Sequence, residues 1–467
     1  MGTIPYVPTY LRAAPPTIWP VTSPLDFGAI GNGSADDWPA ITAALQALAA
    51  KGGGTLVFPN DRDFRIATPG VHGIHLRQQS NITIMMGERS RLIMDNMVGG
   101  LAVSHGIYVT GPCENISLIG VHVRYAAMSV YRQTWAPIYF LGANVGTGDQ
   151  ETGGWYRGNP DGTEAWEQIE AGAIRTVRLE NVTSEFSPSV GIGIVGVDGL
   201  RGYNITLRDT WADGLYHVYF RNSRIDGYYG LDVADDGISF GTEDSDLDAA
   251  DIELPFHGEF SVLTNIVLDG QFRDPNDGYR PSAGSIVPLG VRDTVVDSVV
   301  VNDRFRGIRF EPGTQKTLDY PGLNLNFLAN RRLVISNLTF TRCVQDIACY
   351  AKEVNFASDP KWWLQDVLID GVIGENGSSY FDFASAGIPQ NGGPPQPTAA
   401  GLTFKNLKFT NYINPNATFS GAVLCTVDGL ETDSFMSFQG LVPYLSDPDQ
   451  LDGDGNPMWG DSLCTFR

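Results

Sequence analysis

Residues 25–59 read LDFGAIGNGSADDWPAITAALQALAAKGGGTLVFP. Asp36 or Asp37 is suited to cap the N-terminus of a helix. The apolar residues of this helix recur at helical spacing and fall on one face: Ile41, Ala44, Leu45 and Leu48. Three glycines at 52–54 end the helix, and residues 55–58 form a strand. An amphipathic helix placed directly before a strand predicts a cap over the open end of a coiled sheet, where it covers the core and the strand edges.

A short unit of asparagine, an apolar residue, a variable residue and a second apolar residue recurs along the chain. Its copies begin at Asn81, Asn115, Asn204, Asn265, Asn337 and Asn406. The irregular intervals between them fit the coils of a solenoid with loops of varied length. The 54 glycines and the 18% of charged residues favour many short strands joined by turns. We expect these asparagines to stack at the corners as a ladder that faces inward, rather than to serve as glycosylation sites.

The 25–59 segment resembles the N-terminal signature of the pectate-lyase-like superfamily. That signature combines a Phe-Gly-Ala-x-Gly-Asn-Gly turn, a helix capped at an Asp-Asp pair and a Gly-Gly-x-Leu-x-Phe-Pro strand. The resemblance implies an all-β fold, a single-stranded right-handed parallel β-helix with an N-terminal capping helix. It does not imply one reaction, because that fold carries hydrolases, lyases, epimerases and phage tailspikes.

The predicted organisation has three parts. Residues 1–24 are proline-rich and form an extended arm, residues 25–431 form the β-helix domain, and residues 432–467 form a C-terminal cap. Loop insertions interrupt the coils near 142–172 and 273–285. The first insertion holds Trp155 and Tyr156, whose flat rings are suited to bind sugars. The acidic stretch 447–456 lacks the spacing of a calcium loop and is interpreted as an exposed turn.

Charge and composition exclude several classes of partner. A net charge of −22 repels nucleic acid and anionic membranes. No apolar run is long enough to span a membrane, and the N-terminus lacks the pattern of a signal peptide. The five cysteines contain no CxxC pair, so we expect no metal site and no cofactor. The predicted location is extracellular or on a virion.

Three polar corners stand out in the middle of the chain. Asp213-Gly and Asp236-Gly lie 23 residues apart, and His257-Gly follows 21 residues after Asp236. If each interval is one coil, strands spaced ~4.8 Å apart bring these side chains together. Asp235 joins them only if it and Asp236 lie at a corner or bulge, since consecutive strand residues face opposite sides. Such a column suits acid–base catalysis on a glycosidic bond; ordinary turn chemistry is the alternative.

The spacing resembles that of the polygalacturonase family of inverting glycosidases. The resemblance implies that Asp235 is the general acid, that Asp213 and Asp236 activate water, that His257 tunes the acid, and that Arg309 holds a substrate oxygen. The family's Arg-Ile-Lys is replaced here by Arg309-Phe-Glu311, which argues against a uronic acid. Trp211 and Tyr216 are candidates for a sugar platform, and His217, on the same coil as Asp213, is a candidate substrate ligand. Glu243 flanks the Asp pair and is a candidate to bind substrate or to replace one of the aspartates as acid or nucleophile.

We therefore predict a glycoside hydrolase that cleaves a neutral or weakly charged polysaccharide or oligosaccharide with inversion. The first alternative is a polysaccharide lyase or uronate epimerase on the same fold, although no basic cluster accompanies the acidic residues. The second alternative is a tailspike module that binds or depolymerises glycan. The protein is expected to form a homo-oligomer, a trimer if it is a tailspike.

Overall fold

The protein is described by a computed structural model covering residues 19–130, 132–142, 172–241, 258–270, 283–311, 330–350, 364–384, 399–413, 416–420, 422–423, 426–433, 437–439, 444–445, 459–460 and 465–466. Most of both predicted insertions and most of the N-terminal arm lie outside these residues. The division into arm, β-helix and cap therefore stays a prediction. Among the described residues, no helix is long and apolar enough to cross a membrane.

The described residues form short strands, one α-helix and one 3-10 helix. The N-terminal strands are β1 (Val21–Thr22), β2 (Asn32–Asp36), β3 (Gly54–Phe58), β4 (Asp63–Ile66), β5 (Ile74–Arg77), β6 (Ile82–Met86), β7 (Arg91–Met94), β8 (Ile107–Thr110), β9 (Cys113–Ile119), β10 (His122–Tyr125) and β11 (Ile138–Leu141). The helices are the 3-10 helix Pro24–Phe27 and α1 (Trp38–Ala49).

The central strands include the two longest of the described strands and carry the candidate site. They are β12 (Ile174–Ser187), β13 (Ile192–Thr210), β14 (Leu215–Val233), β15 (Ile238–Gly241), β16 (Glu259–Asp269), β17 (Ile286–Leu289), β18 (Arg292–Asn302), β19 (Arg306–Phe310), β20 (Asn330–Thr341), β21 (Gln345–Tyr350), β22 (Leu364–Glu375), β23 (Ser379–Ala384) and β24 (Ala399–Thr410). The C-terminal strands are β25 (Asn416–Ser420), β26 (Ala422–Val423), β27 (Thr426–Thr432), β28 (Ser437–Gln439), β29 (Tyr444–Leu445), β30 (Trp459–Gly460) and β31 (Thr465–Phe466).

All strands except β29 and β30 belong to one parallel sheet that winds into coils. Each coil pairs in register with the next, so equivalent residues stack along the axis. One interior column is wholly apolar and buried: Ile192, Leu215, Ile238, Ile286, Ile308 and Ile347. This stacking of branched side chains is the core of the solenoid, and it confirms the predicted parallel β-helix.

The N-terminal signature is held together by the carboxylate of Asp37. Its oxygens accept hydrogen bonds from the amides of Ile30 (2.6 Å), Gly31 (3.2 Å) and Arg65 (3.3 Å). Asp37 is the N-cap residue of α1 by position, but its side chain bonds the preceding turn and the neighbouring strand instead of the helix. The apolar face of α1 joins the solenoid core, so the helix covers the end of the coil as predicted.

The asparagine ladder exists, but it faces solvent and not the core. Asn115 donates to Asn81 (2.8 Å) and Asn204 donates to Asn181 (2.7 Å). Further along, aspartates on the preceding coil accept instead, as Asp226 does from Asn265 (2.7 Å). These asparagines have positive φ values, 52 to 61°, and a left-handed corner tolerates asparagine and turns its side chain outward. The inward orientation expected from the sequence is therefore wrong.

Asp346 is a fully buried carboxyl in β21. It accepts a hydrogen bond from the Tyr412 hydroxyl, and its Oδ1 has no hydrogen-bond partner among the described residues. Burial raises the pKa of Asp346 well above its ordinary value, and the Tyr412 bond opposes this only in part. The neutral acid is therefore the form that the folded protein accommodates. Nearby, Cys343 is a buried thiol and does not pair with Cys349.

Asp346→Asn is expected to stabilise the protein at pH 8 and to have little effect at pH 4. The folded-state pKa is raised, so Asp346 contributes its full stability below the unfolded value of about 3.9 and loses it as pH rises towards the folded pKa. An amide carries no charge and avoids this loss, which is of order 1–3 kcal/mol for a buried polar group. Thermal unfolding at both pH values measures the difference. An equal shift at pH 4 and pH 8 would contradict the assignment.

Candidate active site

The two Asp-Gly corners stack on adjacent coils. The amide of Gly191 donates to Asp213 O (2.9 Å), and the amide of Gly214 donates to Asp236 O (2.8 Å). Asp235 and Asp236 lie in the turn between β14 and β15 and not within a strand, which removes the alternation that separates consecutive side chains. Carboxylate oxygens of Asp213, Asp235 and Asp236 lie within 4.8 Å of one another. The predicted convergence of the three acidic side chains is thus observed.

Each carboxylate has its own donor. Asp213 Oδ2 accepts from the hydroxyl of Ser239 at 2.5 Å. Asp236 Oδ1 accepts from the amide of Gly284 at 2.8 Å, and its Oδ2 accepts from Arg309 Nη2 at 3.0 Å. These donors fix Asp213 and Asp236, which are both buried, in defined orientations.

Arginines partly neutralise the cluster. Arg132, from the segment before β11, donates to Asp235 Oδ2 at 3.0 Å. Arg309 contacts Asp236, and its Nε lies 3.2 Å from Glu311 Oε1 without hydrogen-bond geometry. Two guanidinium groups thus contact this set of four acidic side chains directly, and a third, that of Arg304, lies beneath the corner that carries Asp235 and Asp236. The excess of negative charge favours retention of a proton within the cluster.

Asp236 is a buried carboxyl whose pKa is raised by its surroundings. Its burial raises its pKa well above the ordinary value. Arg309 lowers the pKa, but Asp213, Asp235 and Glu311 each raise it further. A carboxyl with a raised pKa retains its proton to a higher pH than an ordinary carboxyl does, which is what a general acid or a proton-sharing pair requires.

The expected sugar platform is not supported by the burial of its residues. Trp211 is 2% exposed and its Nε1 donates to Ser129 O at 2.8 Å. Tyr216 is 5% exposed and belongs to an apolar cluster on the outer face of the sheet that includes Tyr139 and Val218. Neither ring presents an open face to a sugar, so we correct that interpretation.

His217 faces the core. Strand alternation turns it inward, where it stacks on Phe220 with a centroid distance of 4.0 Å, and its Nε2 lies 2.7 Å from Ser223 Oγ. Burial lowers the pKa of His217 to about 3. It is therefore a neutral core residue at physiological pH and not a substrate ligand, contrary to expectation.

Four predicted site residues fall outside the described part of the chain: His257, Glu243, Trp155 and Tyr156. The sequence in turn missed several residues that the structure brings to the cluster: Arg132, Ser239, Gly284 and Arg304. Ser239 could have been predicted from the sequence, because it lies three positions after Asp236 and on the outward face of the next strand. Arg132 had none, since it is 103 residues away from Asp235.

Solved structures share this architecture. The Family 28 exopolygalacturonase of Yersinia enterocolitica aligns with a TM-score of 0.55 at 12% identity, over 96% of this chain and 78% of that one. The Agl-KA catalytic domain gives 0.51 at 15% identity, over 96% and 68%. A tailspike protein mutant of E. coli bacteriophage HK620, in complex with a pentasaccharide, gives 0.54 at 11% identity, over 90% and 66%.

The chain has the parallel β-helix fold that these solved structures share. No family model and no curated protein matches the sequence. At 11–15% identity the structural likeness establishes the fold and leaves the reaction to be argued from the site.

Proposed function

We propose that the protein is a glycoside hydrolase that acts on a neutral or weakly charged polysaccharide or oligosaccharide. The observation that carries the proposal is the convergence of Asp213, Asp235 and Asp236, whose oxygens lie within 4.8 Å of one another. Such a cluster provides both an acid and a base, because close carboxylates cannot all ionise at once. Structural neighbours that include an exopolygalacturonase and a glycan-bound tailspike accord with a glycan substrate.

The proposed roles follow from exposure and hydrogen bonding. Asp235 has the most exposed side chain of the three, 16% against 9% for Asp236, and it protonates the glycosidic oxygen. The proton is shared with Asp236, whose raised pKa retains it in the cluster. Once Asp235 carries the proton, Asp236 and Asp213 are ionised and orient the attacking water. His257 is retained as a contributor by resemblance to the polygalacturonase pattern. Glu243 is retained because it flanks the Asp pair in the sequence, and Trp155 and Tyr156 because their flat rings suit sugar binding.

The substrate class follows from the surroundings of the cluster. Arg309 and Arg132 are both engaged by the protein's own carboxylates, and Glu311 stands where the polygalacturonase pattern has a lysine. A uronate would add a further negative charge beside this acidic group. A neutral sugar avoids that repulsion.

Stereochemistry requires a direct measurement. Inverting enzymes typically separate their two carboxyl groups by ~6.5–9.5 Å and retaining enzymes by ~5–5.5 Å. One oxygen from each carboxylate here lies within 4.8 Å of the others, which bounds the distance between oxygen atoms and not the separation of the carboxyl groups. The inversion implied by resemblance is therefore tested by the anomer of the first product, read by NMR before mutarotation.

The test of function is a panel of neutral and anionic glycans with release of reducing ends as the readout. We expect release from a neutral or weakly charged glycan and none from polygalacturonate. An Asp213→Asn/Asp235→Asn/Asp236→Asn variant should be inactive, while Asp293→Asn, which alters a partly exposed aspartate paired with Arg332, should match wild type. Absorbance of an unsaturated product, abolished by EDTA, would indicate a lyase instead. No release from any glycan would favour a binding module.

Location and assembly form part of the same proposal. The protein acts outside the cell or on a virion, and it assembles as a homo-oligomer, a trimer if it is a tailspike. Light scattering coupled to size-exclusion chromatography measures the assembly directly.

A further inference from the structure

Arg304 is a buried guanidinium beneath the corner that carries Asp235 and Asp236. It is 2% exposed and lies between β18 and β19. A buried arginine normally pairs with a carboxylate, because the desolvation of the charge is costly. The hydrogen bonds that the guanidinium of Arg304 donates within the described structure all go to backbone carbonyls.

These carbonyls belong to two successive coils. Nη1 donates to Val233 O and Gly270 O, both at 3.0 Å. Nη2 donates to Asp235 O at 2.6 Å and to Gly284 O at 3.3 Å. Gly270 and Gly284 flank residues 271–282, which lie outside the described chain. The planar guanidinium of Arg304 thus connects residues on both sides of the 271–282 segment to the turn that holds Asp235 and Asp236.

A series of hydrogen bonds connects Arg304 to the carboxylate of Asp236. Gly284 O, which accepts from Arg304, also accepts from the amide of Gly237 (2.9 Å). The amide of the same Gly284 donates to Asp236 Oδ1 (2.8 Å). A shift of the Gly284 backbone would therefore move two things: the backbone of Gly237, next to Asp236, and the amide that donates to the carboxylate of Asp236.

We propose that Arg304 is a positioning residue that sets the distance between Asp235, Asp236 and the Gly284 amide. This inference rests on the proposed hydrolase function for its kinetic consequence, but its structural consequence is independent of that function. Arg304 acts through the backbone and has no contact with substrate.

Arg304→Lys is the informative substitution, because it keeps the positive charge and removes the fork that reaches several carbonyls. We expect the variant to fold, with kcat lowered at least ~10-fold and KM little changed, since a misplacement of about 1 Å can cost ~10²-fold in rate. Arg304→Met should lower kcat further. Arg342→Met is the matched control, because Arg342 is an exposed partner of Asp303, and its kcat should equal that of wild type.

Amide exchange supplies a readout that does not depend on activity. The Gly284 amide should exchange faster in Arg304→Lys and Arg304→Met than in wild type, and at the wild-type rate in Arg342→Met. If wild type hydrolyses no glycan, the proposed function fails while the exchange experiment still tests Arg304. A folded Arg304→Lys variant with wild-type exchange at Gly284, and wild-type kcat where activity is present, would overturn the inference.

Discussion

Asp235→Asn is expected to lower kcat on a glycan with a poor leaving group by roughly 10²–10⁴-fold and to hydrolyse the corresponding glycosyl fluoride at close to the wild-type rate. Fluoride departs without a proton, so loss of the general acid does not affect it. The side chain of Asp235 is the most exposed of the three and therefore the one best placed to reach a glycosidic oxygen. Steady-state kinetics on the two substrates provide the measurement.

Asp236→Asn is the contrasting variant. It should lose activity on both substrates, because Asp236 orients the attacking water in either case and an amide cannot accept the water's proton. The amide has one accepting oxygen and can keep only one of the two bonds, from Arg309 or from Gly284, so thermal unfolding first checks that the variant is folded. Asp293→Asn controls for the general effect of removing an acidic charge. The reverse pattern, with fluoride hydrolysis retained only in Asp236→Asn, would assign the acid to Asp236, whose raised pKa also allows it to carry the proton.

The architecture was predictable because its determinants are local in the sequence. The 25–59 segment contains both the turn and the carboxylate of Asp37 that binds it, so one short stretch specifies a complete cap. The spacing between Asp213 and Asp236 equals one coil, and parallel register converts that spacing into adjacency in space. Gly237 indicated the turn that lets Asp235 and Asp236 face the same side.

The surroundings of the site were less predictable because they depend on which side of the sheet each residue faces and on distant segments. Leu215 and His217 are alternate residues of one strand, so both face the core. The sequence suggested a site residue instead, because His217 lies close to Asp213 in the chain. Positive φ at the corners turns the asparagine ladder outward. Arg132 and Arg304 reach the cluster from segments that share no motif with it.

Arg309 is the buried arginine that contacts the carboxylates of the cluster directly, and its removal is expected to destabilise the fold. Its side chain is 7% exposed and contacts Asp236 and Glu311, which are similarly buried. The sequence suggested that Arg309 holds a substrate oxygen, but its contacts place it against the protein's own carboxylates. Its first role is therefore to keep two neighbouring acidic groups inside the protein.

Arg309→Met should lower the free energy of unfolding by roughly 3–5 kcal/mol near neutral pH, because it leaves buried carboxylates without a counter-charge. The loss should shrink as pH falls, since removing the guanidinium raises the folded-state pKa of Asp236 and a protonated carboxyl needs no partner. Adding Glu311→Gln to the variant should recover part of the loss. Arg332→Met, which removes an exposed partner of Asp293, should cost no more than about 1 kcal/mol. Thermal and urea unfolding at pH 7.5 and pH 4.5 provide the comparison, and equal losses for Arg309→Met and Arg332→Met would show that Arg309 does not sustain the acidic cluster.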